Sequence, residues 1–131
     1  IKDNLIGRNE IKEIKFKNIL IEVDLIEFIN SREKGLNTLL EDRGETLPVG
    51  IRKRISLARA MVNQSQLVIL DEPTEGLDID GREKVINLIK NEKQKNKTVI
   101  IATNDQEILN LSHILVDMNS KPKPSVVKVK K

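Results

Sequence analysis

Cysteine is absent from the 131 residues, so disulfide frameworks, thiolate zinc sites and thiol nucleophiles are excluded. Tryptophan and tyrosine are absent too. Phe16 and Phe28 are the only aromatics, which removes the stacking platforms that single-stranded nucleic acids need. A single histidine, His113, makes histidine metal sites and Ser-His-Asp triads poor candidates and reads best as a surface or half-buried side chain beside a strand. No run approaches the ~20 apolar residues that cross a bilayer, and no signal-peptide core is present. The chain opens Ile-Lys-Asp-Asn without an initiator methionine, which predicts a segment that starts inside a longer polypeptide.

What is present is aliphatic and charged. Ile, Leu and Val make up 43 of the 50 hydrophobic residues, enough for a core and against wholesale disorder. Charged residues reach 33%, with 23 basic against 20 acidic and a net charge of +3. So small an excess fits a solvated, lysine-rich surface better than a nucleic-acid or anionic-lipid partner.

Residues 1–62 read as a helical subdomain. Ile11, Ile14, Ile19, Val23 and Ile26 recur at helical spacing, with a break near Val23–Asp24 and an extended or turn piece at Leu36–Leu40. A helix starts near Pro48, placing Ile51, Ile55, Ala58 and Val62 inward and Arg52, Lys53, Arg54 and Arg59 mostly on a solvated face. Residues 63–118 alternate strand and helix. Leu67–Leu70 reads as a strand buried on both faces, Ile79–Lys95 as a helix and Thr98–Ala102 as a second buried strand. Asp105–Leu111 reads as a short helix and Ile114–Asp117 as a third strand, together predicting an α/β domain with a parallel sheet. Residues 119–131 form a Pro/Lys-rich tail, a linker or frayed edge strand.

The chemistry is concentrated in Leu67-Val68-Ile69-Leu70-Asp71-Glu72-Pro73-Thr74. A buried strand ends here in two adjacent carboxylates, at the edge where open α/β sheets bind ligands. Successive side chains of a strand point to opposite sides. Asp71 therefore suits a Mg²⁺ shell, while Glu72 suits the orientation and deprotonation of a water. Pro73 ends the ladder and turns the chain outward.

These residues resemble the nucleotide-binding domain of ATP-binding cassette (ABC) proteins. Leu67–Glu72 looks like the Walker B motif, Glu75-Gly76-Leu77-Asp78 looks like the D-loop, and Leu47–Ala60 lies in the place of the signature motif and its helix. The implied fold is a partial P-loop NTPase, a RecA-like parallel sheet with helices, preceded by a helical subdomain. The resemblance implies ATP and Mg²⁺ as ligands, Asp71 as the metal-linked acid and Glu72 as the general base. Pro48, Val49, Gly50 and Ile51 become the contact to a nucleotide on an opposite subunit, and Asp78 an intersubunit contact. Asn104 occupies the place of the family's switch histidine.

Three departures matter. Pro48 and Val49 replace the serine and a glycine of the Leu-Ser-Gly-Gly-Gln signature, which predicts a weakened anion contact at a retained helix start. Asn104 donates a hydrogen bond but is shorter than histidine and carries no proton. The pattern G-x-x-x-x-G-K-[ST] does not occur, and none of the four glutamines lies where a Q-loop falls. This chain alone is therefore expected neither to hold ATP tightly nor to hydrolyse it, and its sheet is expected to carry an uncovered edge.

The leading expectation is the C-terminal part of an exporter's ATP-binding domain, at the cytoplasmic face of the inner or plasma membrane. Its partners would be a second nucleotide-binding domain and a transmembrane domain. Val49, the Glu75–Asp78 loop and the ending Asp117–Pro122 look more finely like type I protein-secretion exporters, which would add a membrane-fusion protein and an outer-membrane channel. Two other readings stay open: a degenerate regulatory or structural half-site, and a soluble ABC ATPase of the DNA-repair or ribosome-associated type. The absence of heptads and of a basic stripe weighs against the last.

Overall fold

A computed structural model describes residues 1–7, 11–40 and 44–128. The helical part begins with α1 (Lys2–Ile6), α2 (Glu13–Glu22) and α3 (Ile26–Asn30), followed by a single 3-10 turn at Gly35–Asn37 where the sequence predicted an extended or turn piece. The predicted break falls in place. Val23 caps α2, and Asp24 adopts a left-handed φ of 56°, a conformation that the short aspartate side chain tolerates better than most. The inward stripe of α2 is Phe16, Ile19 and Leu20, continued by Val23, at the i, i+3, i+4, i+7 spacing of one helical face. Ile14 does not belong to it and is 78% exposed, because residue 14 falls outside that arc.

Helix α4 (Val49–Val62) buries Ile55, Leu57, Ala58, Met61 and Val62. Pro48 stands one position before the first helical residue, as the N-cap rather than inside the first turn. Strands β1 (Leu67–Asp71) and β2 (Thr98–Ala102) pair in parallel, Leu67 opposite Thr98 and Asp71 opposite Ala102. Helix α5 (Ile79–Gln94) makes the crossover between them, as a parallel pair requires. Val68 and Leu70 join the core with α4 and α5, and Val99 and Ile101 pack against it.

Several expectations are corrected. β1 is buried on one face only: Leu67 is 46% and Ile69 67% exposed, because among the described residues nothing covers that side of the sheet. The parallel sheet has two described strands, each paired along a single edge. Strand β3 (Ile114–Asp117), which follows α6 (Gln106–Leu111), does not extend that sheet. It pairs antiparallel with β4 (Ser125–Lys128), so of the two readings of the tail, linker or edge strand, this part is a strand. The turn at 118–124 returns the chain directly beside β3, as the short connection of an antiparallel pair allows. Val129, Lys130 and Lys131 lie outside the described residues, as do 8–10 and 41–43 within the predicted helical part.

Polar ties connect the elements. Arg54 of α4 reaches both the backbone carbonyl (3.2 Å) and the carboxylate (3.0 Å) of Asp24, and Lys84 of α5 pairs with the same carboxylate at 3.0 Å. Arg54 is thus engaged within the fold and not on a purely solvated face. Among the described residues no helix is long and apolar enough to cross a membrane.

Candidate functional site

The C-terminal ends of β1 and β2 place Asp71, Glu72 and Asn104 together. Asp71 is the last residue of β1, exposed, and no hydrogen bond or ion pair holds its carboxylate among the described residues. Glu72 comes next in a left-handed conformation, φ 39°, which costs a residue with a Cβ about 1 kcal/mol or more. Two backbone bonds offset that cost. The Glu72 amide donates to the Ala102 carbonyl at 2.9 Å, and Lys53 Nζ donates to the Glu72 carbonyl at 2.7 Å. The left-handed turn releases the chain from the ladder, and the buried Pro73 and Thr74 anchor the start of the loop that leads to α5.

The Glu72 carboxylate is held by two donors from the loop after β2. Thr103 Oγ1 donates to Oε2 at 3.0 Å, and Asn104 Nδ2 donates to Oε1 at 3.2 Å. An ionised carboxylate has about four acceptor positions, so two remain for water or another donor. Asn104, singled out in the sequence for the place of the family's switch histidine, thus lies within hydrogen-bonding reach of the Glu72 carboxylate. Thr103 and Lys53 were not picked out by sequence reasoning. A threonine at a strand end and a lysine within a basic run carry no local signal of the partners they find.

An open groove of about 510 Å³ lies beside Asp71, between α4 and β1, with Arg52, Lys53, Ser56 and Val49 on its walls. The Arg52–Arg54 run is thus split: Arg52 lines the groove, Lys53 braces Glu72, and Arg54 bridges to Asp24. Fit to Mg²⁺ can be judged from the donors present. Among the described residues there is no cluster of three or more metal-ligating side chains, only the free carboxylate of Asp71 at the groove. That matches Mg²⁺, which commonly takes one or two carboxylates plus waters and substrate phosphates.

The segment Pro48–Ile51 forms the start of α4. Pro48 and Val49 are exposed, Gly50 and Ile51 half-buried, and no side chain caps the helix. Val49 sits directly on the Glu75–Asp78 loop: a Cβ built at Gly76 would lie 3.1 Å from Val49 Cγ1, and Gly76 has φ +73°. Asp78 is committed locally as the N-cap of α5, its carboxylate accepting the Gly81 amide at 2.8 Å. A side chain at Gly81 would meet that same oxygen at 2.8 Å, so the glycine keeps the cap intact. Asp78→Ala is expected to lower stability by about 1 kcal/mol in denaturant titration. An unchanged midpoint would mean that the cap contributes nothing.

A family model described as ABC transporter matches residues 2–75, more than half of the chain. Similar proteins include the glutathione/L-cysteine transport system ATP-binding/permease protein CydC of Haemophilus influenzae, 37% identical over 95 residues, 72% of this chain and 16% of that protein. The ATP-dependent lipid A-core flippase of Vibrio parahaemolyticus is 41% identical over 76 residues, 58% of this chain and 13% of the flippase. The ABC-type transmembrane transporter verA of Clonostachys rogersoniana is 29% identical over 122 residues, 91% of this chain and 10% of its own length. The chain thus spans less than a fifth of each of these three relatives.

Proposed function

Because this chain belongs to the ABC transporter family, we propose that it is the C-terminal part of an ATP-binding domain that couples ATP binding and hydrolysis to export. The observation that supports this most directly is the Glu72 carboxylate, held by Thr103 and Asn104 beside an uncommitted Asp71 at the mouth of a groove. Glu72 orients a water and accepts its proton, using the acceptor positions that Thr103 and Asn104 leave open. Asp71 is the residue that would hold Mg²⁺. The metal, when bound, supplies charge neutralisation to the phosphate oxygens. The triphosphate itself is cradled by polypeptide outside residues 1–131, since no P-loop pattern lies within them.

In this reading Pro48–Ile51 and Asp78 face a second nucleotide-binding domain, and the work is delivered to a transmembrane domain at the cytoplasmic face of the membrane. The three-part division at residues 62 and 118 belongs to the same proposal. Two of the named relatives are a lipid A-core flippase and a glutathione/L-cysteine transport protein. Export in general is the supported level, and protein secretion is the finer variant to be tested by cargo. A regulatory half-site is the second reading, favoured by Pro48, Val49 and Asn104 standing where the family has Ser, Gly and His.

The test is MgATP turnover by the purified full-length polypeptide in lipid vesicles. Turnover is expected, and its absence would overturn the enzyme reading. Restoring the family residues with Pro48→Ser plus Val49→Gly returns a hydroxyl and an N–H to the helix start. That pair is expected to raise turnover by roughly 2–10-fold. Unchanged turnover would show that the variant signature is not impaired.

A further inference from the structure

Asp105 caps α6, but its carboxylate carries far more than a cap requires. Oδ1 accepts the Glu107 amide at 3.0 Å and Arg82 Nη2 at 2.7 Å. Oδ2 accepts Arg82 Nε at 2.7 Å and the Thr74 hydroxyl at 3.0 Å. The Arg82 contact is a bidentate fork, the most geometrically demanding of ion pairs. Its side-chain hydrogen bonds to Arg82 above all, opposed by burial and aided by Thr74, bring the Asp105 carboxyl down to about 2. The partners come from three separate places. Thr74 lies two residues after Glu72, Arg82 is in the first turns of α5 just beyond the Glu75–Asp78 loop, and Asp105 comes directly after Asn104.

The network runs on to the reacting end. The Asp105 amide donates to Thr103 Oγ1 at 3.1 Å, so the hydroxyl oxygen is already used as an acceptor. The Thr103 proton is then aimed at Glu72 Oε2, which as an ionised carboxylate oxygen can only accept. The carboxylate sets the direction of this hydrogen bond, and the Asp105 amide holds the Thr103 hydroxyl oxygen in place.

We propose that Asp105, clamped by Arg82 and Thr74, is a positioning residue that fixes Thr103 and Asn104 against Glu72 and so couples the place of the Glu75–Asp78 loop to the orientation of the base. This rests on the reading of Glu72 as the base. A shift of α5 carries Arg82 with it and, through the fork, moves the loop that holds the Glu72 carboxylate. The same geometry makes the base competent only while the 75–78 loop and its helix are seated.

The test uses steady-state ATPase kinetics of the full-length protein, with thermal unfolding of each variant as a control. Asp105→Asn keeps a good helix cap but loses the charge that grips Arg82, and Arg82→Gln removes the fork from the other side. Each is expected to lower kcat roughly 3–10-fold with KM for MgATP changed by less than about two-fold. Thr103→Val is expected to lower kcat about 10-fold, and Thr103→Ser to recover most of that loss. Thr103→Val combined with Asp105→Asn should be no slower than Thr103→Val alone, because both act along one path.

Unchanged kcat in Thr103→Val and Asp105→Asn overturns the proposal. So does a loss that multiplies in the double variant, or one that accompanies a fall in Tm and a rise in KM together, which is the mark of a purely structural pair. If Asp105→Asn is too unstable to assay, the Thr103→Val against Thr103→Ser comparison decides alone. Glu72→Gln separates the two ideas: retained turnover there removes the base itself. Lost turnover there with unaffected Thr103 and Asp105 variants removes only the positioning. A wild type without turnover removes both.

Discussion

Glu72→Gln is expected to cut ATP turnover by roughly 10²–10⁴-fold while leaving KM for MgATP and thermal stability almost unchanged. A positioned general base contributes about that much, and glutamine keeps the shape while losing the ability to take a proton. The neighbours can adapt. Asn104 Nδ2 still donates to the remaining amide oxygen, and the Thr103 hydroxyl can turn to accept from the new NH₂ group. The backbone bonds of residue 72 to Ala102 and Lys53 do not involve the side chain. The left-handed turn therefore survives the substitution. Single-turnover and steady-state rates with the full-length protein make the measurement. Turnover unaffected by Glu72→Gln would favour the regulatory half-site, in which the carboxylate pair is kept without being used.

A second large effect is expected far from the groove, at Glu92. Its side chain is 4% exposed and accepts from Lys95 at 2.7 Å and from Lys97. Burial pushes this carboxyl up, but the hydrogen bonds from Lys95 and Lys97 together outweigh it and leave the group below the ordinary glutamate value. Lys97 is itself only 12% exposed, so Glu92→Ala strands a largely buried ammonium. Removing one partner of such a pair should cost about 2–3 kcal/mol at pH 7, or roughly 6–12 °C in Tm. A folded-state value below the unfolded one means that the stabilisation is complete above the unfolded pKa and fades as pH falls below it. The gap between wild type and Glu92→Ala should therefore shrink between about pH 5 and more acidic conditions. A gap that widens on acidification would reverse the assigned direction.

The same sign applies to Asp105, whose stabilisation persists to lower pH because its folded value lies at about 2. Acid unfolding is accordingly expected to lose the Glu92 contribution before the Asp105 one.

Much of this architecture is readable from local pattern. The helix α4 after Pro48, the four apolar residues of β1 before Asp71-Glu72, and the crossover helix α5 depend on periodicity and on cap chemistry within a few residues. Asp78 and Asp105 stand as N-caps where a carboxylate precedes a helix. The carboxylate pair and its family resemblance are likewise matters of order and spacing along one chain.

Other features depend on contacts across 19 to 32 residues, which no local window contains. Lys53 on the Glu72 carbonyl, Thr103 and Asn104 on its carboxylate, and Arg82 on Asp105 each require two elements to be docked in one register. Strand burial belongs here too. Val68 and Ile69 are both apolar β-branched residues, yet one is buried and the other open, because only packing determines which face of a sheet is covered. The pairing of β3 with β4 likewise joins residues up to 14 apart and is fixed by how the two strands dock. Composition and spacing alone thus determined which residues are candidates for the chemistry and on which elements they lie. Tertiary structure decided how they are held, because hydrogen-bond partners and covered faces are properties of docked surfaces and not of neighbouring residues.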